Sequence, residues 1–295
     1  MSTDHMVRIT LNGATMGTLY SVIAYAEPAF DAQALGRKLH AAISEVDAVM
    51  SNWKPDSDIS RLNAAATGIW IDLPAPLLHV LDAALRIEAR SGGAFDIGVG
   101  DAVGAWGFGP YASQPVTQRP ARRPVTRQAL ELDTASCRAR KHAPLSLDLS
   151  GIAKGYGVDR LAEILQSAGL SSWLVSLDGE LRAGAPKPDC TKWAIALEKP
   201  VIGKRETSGV IEIADMAIAT SGTYRHCREE GGRTVSHTIN PASGCPVERK
   251  LASVTVLAPT CMAADAWATA ILVDGHWPPR GFVAPTDIDA LVLSA

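Results

Sequence analysis

Asp265 and Thr269 stand four positions apart in the run Ala-Asp-Ala-Trp-Ala-Thr. On a helix, residues at this spacing share a face, so the carboxylate and the hydroxyl point in the same direction. Magnesium binds such oxygens and completes its shell with water and phosphate oxygens. The pair therefore predicts a magnesium site for a phosphate-bearing ligand. Spacing alone leaves a second interpretation open, in which Asp265 favours the helix start and Thr269 bonds to its own helix.

Two stretches of the chain must position these groups. Residues 251–258 alternate like a strand, and Thr260 then predicts an N-cap, so the pair lies near the start of a helix that leaves a sheet. Residues 145–150 also read as a strand, which runs through a turn at 151–155 into a helix over 156–168. Such a turn presents N–H groups to phosphate, and Lys154 there can offset diphosphate charge. The turn matches neither the P-loop nor the dinucleotide-binding pattern.

The remaining pattern is one of short strands and a few helices. Strands are predicted at 7–11 and 18–25, with a turn signal at Asn12-Gly13-Ala14 and with Met16-Gly17-Thr18 at the bend. An amphipathic helix is predicted over 31–50 and a second helix over 74–91. Residues 220–222 are interpreted as either a tight turn or a phosphate-binding nest, and residues 112–127 as an exposed loop. Because strands outnumber helices without βαβ regularity, the fold class is α+β, with mixed, largely antiparallel sheets packed with helices.

Composition narrows the classes of function. The chain has 295 residues, of which 47% are hydrophobic, and a net charge of -3, so it can bury a large core and has no basic footprint for nucleic acid. No apolar run is long enough for a transmembrane segment, and no secretory leader is visible. We expect a cytoplasmic protein, or a periplasmic one if a leader has been removed. The five cysteines are widely spaced, which predicts neither a disulfide framework nor a zinc site.

Several separated blocks, taken in order, resemble the ApbE family of FAD:protein FMN transferases. They are Met16-Gly17-Thr18, Ser57-Asp58-Ile59-Ser60-Arg61-Leu62-Asn63, Gly93-Ala94-Phe95-Asp96, Trp106-Gly107-Phe108-Gly109, the stretch from Asp148 to Tyr156, the stretch from Ala219 to Arg225, the stretch from His237 to Gly244, and the Asp265–Thr269 run. The resemblance covers almost the whole chain. It implies a single domain over 1–295 with two lobes and the active-site cleft between them.

The resemblance also implies the roles of individual residues. Matching positions for contact with FAD are Met16, Trp53, Ala94, Phe95, Asp96, Asp148, Lys154 and Ile239; for magnesium they are the Gly151 carbonyl, Asp265 and Thr269. Trp53 stands where the family usually has tyrosine, and its aromatic face suits stacking on the flavin. His237 is the candidate for proton transfer, with a purely structural hydrogen bond as the alternative. Asp265 is counted as catalytic because it would hold the metal.

The implied activity is magnesium-dependent transfer of FMN from FAD to a threonine hydroxyl of a target flavoprotein, with release of AMP. The target threonine is expected in a Ser/Thr-Gly-Ala-Thr-like segment. One alternative is a magnesium-dependent FAD pyrophosphatase that gives FMN and AMP, and another is a non-catalytic flavin-binding protein. One departure from the family lies at Asp178-Gly179-Glu180, where Gly-Gly-Asp is common, and it is expected to alter contacts to adenine or ribose.

Overall fold

A computed structural model of the chain describes residues 6–110, 123–201, 203–204, 206–225, 227–230, 233–247 and 250–294. Within these ranges the chain forms seven helices: α1 (Ala32–Met50), α2 (Asp58–Ala64), α3 (Ala75–Arg90), α4 (Gly100–Ala105), α5 (Thr126–Ala129), α6 (Ala153–Ser167) and α7 (Cys261–Asp274). It also forms sixteen strands there: β1 (Val7–Thr15), β2 (Thr18–Ala26), β3 (Ile71–Asp72), β4 (Leu130–Asp133), β5 (Arg138–Lys141), β6 (Trp173–Leu177), β7 (Glu180–Ala183), β8 (Trp193–Glu198), β9 (Thr207–Ile213), β10 (Met216–Gly222), β11 (Cys227–Glu230), β12 (Arg233–Ser236), β13 (Ile239–Asn240), β14 (Cys245–Pro246), β15 (Leu251–Ala258) and β16 (Asp289–Ser294).

A seven-stranded antiparallel sheet organises the molecule, with the strand order β1-β2-β6-β7-β10-β15-β16. Helices α1, α6 and α7 bury their apolar side chains against this sheet in the main core. The hairpin β8–β9 packs through Trp193, Ile195 and Ile213 in a second, smaller core with Ala183 and Ile218 of the sheet. The predicted α+β class with largely antiparallel sheets is confirmed, whereas the single domain over 1–295 and its two lobes stay predictions.

The first hairpin turns at the predicted bend, Met16-Gly17, whereas the turn predicted at Asn12-Gly13 is wrong. Asn12 and Gly13 lie inside β1, paired with Ser21 and Tyr20, and the turn is formed by Met16 and Gly17, whose φ angles are +47° and +71°. Two positive φ angles are what a tight hairpin turn needs. A Cβ at Gly13 would lie 2.4 Å from the Tyr20 ring, so this glycine serves close packing of the ring on the strand.

The prediction of a strand over residues 145–150 is also wrong, because this segment does not belong to a sheet. The segment is extended and buries Leu145, Leu147 and Leu149, but its backbone does not join a sheet ladder. Instead, the side-chain amide of Asn63 accepts from the Leu147 N–H and donates to its carbonyl, at 2.8 and 2.9 Å, and Asn52 donates to the same carbonyl at 2.7 Å. The alternating apolar pattern predicted correctly which side chains are buried. It could not predict which groups would form hydrogen bonds with the backbone N–H and C=O groups of this segment.

Two loop predictions also need correction. Residues 220–222 form neither a turn nor a nest, because they belong to β10 and pair with residues 253–255 of β15. Of the predicted exposed loop at 112–127, residues 112–122 lie outside the described part of the chain. The described end of that loop is ordered into α5, where Thr126 is fully buried and the Arg127 N–H donates to Glu88 at 2.9 Å.

Candidate active site

A cavity of about 870 Å³ opens between the main sheet, helices α6 and α7 and the loops that precede them. This volume is near the upper end of the ~300–1,000 Å³ that small-molecule sites usually occupy. Every residue that the sequence analysis assigned to FAD, to magnesium or to proton transfer lines it, namely Met16, Trp53, Ala94, Phe95, Asp96, Asp148, Gly151, Lys154, His237, Ile239, Asp265 and Thr269. The fold therefore brings distant parts of the sequence to one place, while the role of each residue stays a prediction.

Helices α6 and α7 meet at the cavity and cap each other. Asp265 of α7 is buried and accepts the Gly155 N–H in the first turn of α6, with an Oδ2–N distance of 3.1 Å. In return, Asp159 of α6 accepts the N–H groups of Cys261 and Met262 in the first turn of α7, both at 2.9 Å. All three bonds satisfy N–H groups that a helix start leaves without an intrahelical partner. Asp265 thus lies one turn inside α7, and the predicted N-cap, Thr260, is confirmed by its bond to Ala263.

The Gly151 carbonyl is left available by the same arrangement. Because the Gly155 N–H donates to Asp265, it is not offered to Gly151, and no hydrogen bond among the described residues reaches the Gly151 carbonyl. A Cβ at position 151 would lie 3.1 Å from Thr269 Oγ1, so the glycine keeps the space beside that hydroxyl open. Thr269 Oγ1 is also 3.1 Å from Ser221 Oγ of β10. Gly151, Lys154, Asp265 and Thr269 are called the floor of the cavity below.

Lys154, in the first turn of α6, forms ion pairs with two carboxylates, one in the β6–β7 turn and one at the start of β7. Its Nζ lies 2.9 Å from Glu180 and 3.4 Å from Asp178. Burial alone would lower the pKa of Lys154, but Glu180, Asp265 and Asp178 outweigh it and raise that pKa above the ordinary lysine value. The lysine is therefore charged at neutral pH. Glu180 was not predicted as a partner of Lys154, because no local pattern in the sequence shows that residues 154 and 180 meet.

The pKa of Asp265 is raised to about 7, first by burial and then by the charge of Glu180, against the opposing effects of Lys154 and the Gly155 N–H. A buried carboxylate of this kind gains from a nearby cation, which favours its ionised form. No group of three or more His, Cys, Asp or Glu side chains suited to a metal occurs in the described ranges. A metal at the floor would therefore rely on one carboxylate, a carbonyl and a hydroxyl.

A second wall of the cavity carries Asp96 and Asp148. The Asp96 carboxylate accepts the Gly98 N–H at 2.7 Å, and burial is the main cause that raises its pKa. Behind it, burial and the charge of Asp96 raise the pKa of Glu88 to about 7. Asp148 accepts the Ser150 N–H at 2.7 Å, which is the turn-capping bond expected of a carboxylate in that position. Both aspartates keep oxygen lone pairs for a ligand.

Residues from separate loops also line the cavity. Met16 lies in the β1–β2 turn, and Trp53, 70% exposed, lies in the loop between α1 and α2. His237 is half-buried and its ring packs edge-on against Phe108, with 6.4 Å between centroids. Met16, Trp53 and the cavity-lining part of β8 are called the rim below. An exposed indole at the opening is free to contact a ligand on its face.

The fold is that of a known class of proteins. The model of the ApbE family matches residues 16–292. The chain therefore belongs to the ApbE family. None of the helices in the described ranges has the length and hydropathy that a membrane span requires.

Its relatives include enzymes. The FAD:protein FMN transferase of Vibrio cholerae is 38% identical over 97% of this chain and 87% of its own length. The one from Haemophilus influenzae is 37% identical, with 91% of this chain and 81% of its own length covered. Among solved structures, the flavin transferase ApbE from Vibrio cholerae superposes with a TM-score of 0.80 at 33% identity, covering 98% of both chains. The flavinyl transferase ApbE from Pseudomonas stutzeri, in its apo form, gives 0.82 at 30% identity over 99% of this chain and 94% of its own.

Proposed function

We propose that this protein transfers FMN from FAD to a threonine hydroxyl of a target flavoprotein, with magnesium as cofactor and AMP as the second product. The observation that carries the proposal is the convergence of α6 and α7 on one cavity, where Asp265, Thr269 and the Gly151 carbonyl lie beside the charged Lys154. Family membership and the named activity of the relatives support the flavin substrate.

The floor has the donor set that magnesium requires. Asp265 contributes a carboxylate, Thr269 a hydroxyl and Gly151 a carbonyl, all of them hard oxygens. Three protein oxygens leave positions for water and phosphate oxygens, as is usual for magnesium. Magnesium bound there would supply Lewis-acid stabilisation of negative charge on the diphosphate. Lys154 adds a fixed positive charge on the same side of the cavity, held in place by Glu180 at 2.9 Å.

The transfer is a displacement at the phosphorus of the FMN half. The threonine oxygen forms a bond to that phosphorus, the bond from phosphorus to the bridging oxygen breaks, and AMP leaves with the bridging oxygen. The threonine proton must be lost, and His237 on the cavity wall is our candidate to take it. Lys154 offsets the charge that grows on the departing AMP.

FAD is proposed to lie along the cavity. The residues proposed to hold it are Met16, Trp53, Ala94, Phe95, Asp96, Asp148 and Ile239. Apolar and aromatic groups among them, such as Trp53, suit the flavin ring, whereas the carboxylates of Asp96 and Asp148 suit hydroxyl and amino groups of the nucleotide. The acceptor threonine is proposed to lie in a Ser/Thr-Gly-Ala-Thr-like segment, whose small residues allow its backbone to come close to the cavity.

The test is incubation of the purified protein with FAD, magnesium and an acceptor flavoprotein domain that carries Ser-Gly-Ala-Thr. Flavin fluorescence of the acceptor on a denaturing gel and its gain of FMN mass are the expected results, and both should disappear with EDTA. Release of AMP without labelling of the acceptor would replace the proposal by a pyrophosphatase. Retention of intact FAD without any product would replace it by a flavin-binding protein.

A further inference from the structure

Strand β8 lines the cavity with consecutive residues and not with alternate ones. Four consecutive residues, Ile195, Ala196, Leu197 and Glu198, line it. Side chains of consecutive strand residues point to opposite faces, so a cavity reached by all four must lie along the edge of the strand. The backbone of β8, and not only its side chains, therefore faces the cavity.

The direction of the backbone groups on β8 follows from its contacts with β9. The Leu197 carbonyl accepts from Ser208 Oγ at 3.1 Å, and the Lys199 N–H donates to the Glu206 carbonyl at 2.7 Å. The pairing with β9 shifts register between Leu197 and Glu198, and these two contacts show that residues 197 and 199, on either side of the shift, both direct their backbone towards the β9 side of the hairpin. Because N–H and C=O groups alternate sides along a strand, Ala196 and Glu198 direct theirs to the opposite edge.

This outer edge is open within the described part of the chain. β8 and β9 form a two-stranded sheet there, and no backbone hydrogen bond of the described residues joins Ala194, Ala196 or Glu198 to a further strand. Ala194 and Ala196 are exposed, and their methyl groups leave room beside the backbone. An open edge of this kind is a template for another extended chain.

A chain of polar contacts connects this edge to the floor. Glu198 pairs with Arg225 at 2.6 Å, and Arg225 donates to the Asp178 carbonyl at 3.3 Å. The Asp178 carboxylate lies 3.4 Å from Lys154. The end of β8 is therefore near the place where the diphosphate of FAD is proposed to lie, and β8 carries none of the residues assigned to FAD or magnesium.

From this geometry we infer that the outer edge of β8 binds the acceptor polypeptide as an added strand and so carries its threonine to the cavity. The inference rests on the proposed function, since it names how the second substrate of that reaction is held. Strand addition supplies affinity through main-chain hydrogen bonds. A Gly-Ala pair before the threonine suits it, because small side chains do not obstruct pairing beside Ala196.

The test compares two proline substitutions in the same hairpin. Ala196→Pro removes an outward N–H on the cavity edge and leaves the bonds to β9 in place, and proline is tolerated on a strand edge. Val210→Pro is the matched control, because Val210 is the partner of Ala196 in the pairing but is 64% exposed and outside the cavity lining. With the Ser-Gly-Ala-Thr domain as acceptor, we expect Ala196→Pro to raise the acceptor KM about tenfold and Val210→Pro to leave it within about twofold.

A second measurement uses the unmodified protein and does not depend on the folding of a variant. Peptides that carry Ser-Gly-Ala-Thr, each with one backbone N-methyl group, are tested as inhibitors of labelling. Strand addition predicts that inhibition weakens at every second position, since only alternate N–H groups of the peptide face β8. Equal weakening at all positions would overturn the inference.

The remaining outcomes separate the inference from the proposed function. Equal acceptor KM values for the two proline variants would overturn the docking edge alone, provided that the unmodified protein labels the acceptor. If Ala196→Pro weakens FAD binding as much as it raises the acceptor KM, the edge holds FAD and the inference is wrong. An unmodified protein that labels no acceptor would overturn the proposed function, and the docking edge with it.

Discussion

The floor of the cavity consists of groups that α6 and α7 hold beside the main core, whereas the rim consists of a hairpin turn, a loop and an open strand edge. At the floor, Asp265 is 4% exposed and bonded to the start of another helix. At the rim, Trp53 is 70% exposed and β8 belongs to a two-stranded sheet. Buried, bonded groups keep a fixed geometry for chemistry, and exposed groups on loops suit recognition of a partner. Substitutions at the floor should therefore affect turnover, and those at the rim should affect binding.

The largest effect is expected from Asp265→Asn. The amide can still accept the Gly155 N–H, but it removes the charge proposed to hold magnesium, so we expect the rate of FMN transfer to fall at least about a hundredfold. Asp159→Asn is the matched control, since this buried carboxylate also caps a helix but does not line the cavity. It should lower the free energy of unfolding by about 1–3 kcal/mol and leave the transfer rate near that of the unmodified protein. Equal loss of rate in both variants would contradict the assignment.

The next largest effect is expected from Glu88, which lies behind Asp96, and it concerns the pH dependence of the free energy of unfolding. The pKa of Glu88 in the folded protein is about 7, above its ordinary value of 4.5. The folded state thus binds more protons than the unfolded state between these pH values, so this contribution to stability is complete below pH 4.5 and is lost as the pH rises through 7. The Glu88→Gln variant has no titrating group at this position and should not lose this stability. Its free energy of unfolding, relative to that of the unmodified protein, should therefore rise by on the order of 2 kcal/mol between pH 4.5 and pH 7.5. Urea unfolding at several pH values tests this, and parallel stability curves would refute it.

A smaller effect at the floor is expected from Gly151→Ala. The added Cβ would lie 3.1 Å from Thr269 Oγ1 and 3.4 Å from the Phe95 ring, so the hydroxyl must shift by a few tenths of an ångström. We expect the transfer rate to fall about tenfold at saturating FAD, because small displacements of a ligand group are costly for catalysis. Gly36→Ala is a control, since its Cβ would meet only Leu11 at 3.6 Å, and its rate should be unchanged. A Gly151→Ala protein with full activity would argue against a metal contact there.

The smallest effect is expected at the rim, from Trp53→Ala. Loss of one stacking face should weaken FAD binding about fivefold, measured by the quenching of flavin fluorescence. Because Trp53 is 70% exposed, the free energy of unfolding should change by no more than about 0.5 kcal/mol. Trp53→Tyr should restore most of the affinity. A large loss of turnover at saturating FAD would instead show that Trp53 affects turnover, as expected of the floor residues, and not only binding.

The sequence indicated the floor better than the rim, for physical reasons. The spacing of Asp265 and Thr269 is a local property of a helix, and α7 forms over the predicted segment with Thr260 as its N-cap. The pairing of Lys154 with Glu180, the bond of Thr269 to Ser221 and the open edge of β8 depend on contacts between distant segments, which no local pattern reports. The resemblance to a family supplied the remaining positions, and the cavity contains all of them.

The errors have the same origin. Asn12-Gly13 is a strong turn signal, yet Tyr20 packs over Gly13 within β1, and the chain turns only at the other predicted bend, Met16-Gly17. Residues 145–150 alternate like a strand, yet the side-chain amides of Asn52 and Asn63 take the place of a neighbouring strand. In both cases tertiary contacts decided between local conformations of similar energy.

The exchange of caps between α6 and α7 has a consequence for how the protein acquires activity. Each aspartate completes the helix to which it does not belong, and the three bonds span 110, 102 and 103 positions of the chain. Neither helix start is satisfied until the other half of the polypeptide has arrived. A nascent chain that has not yet emerged beyond residue 269 cannot assemble the floor, so the capacity to bind a ligand there should appear late in synthesis and all at once.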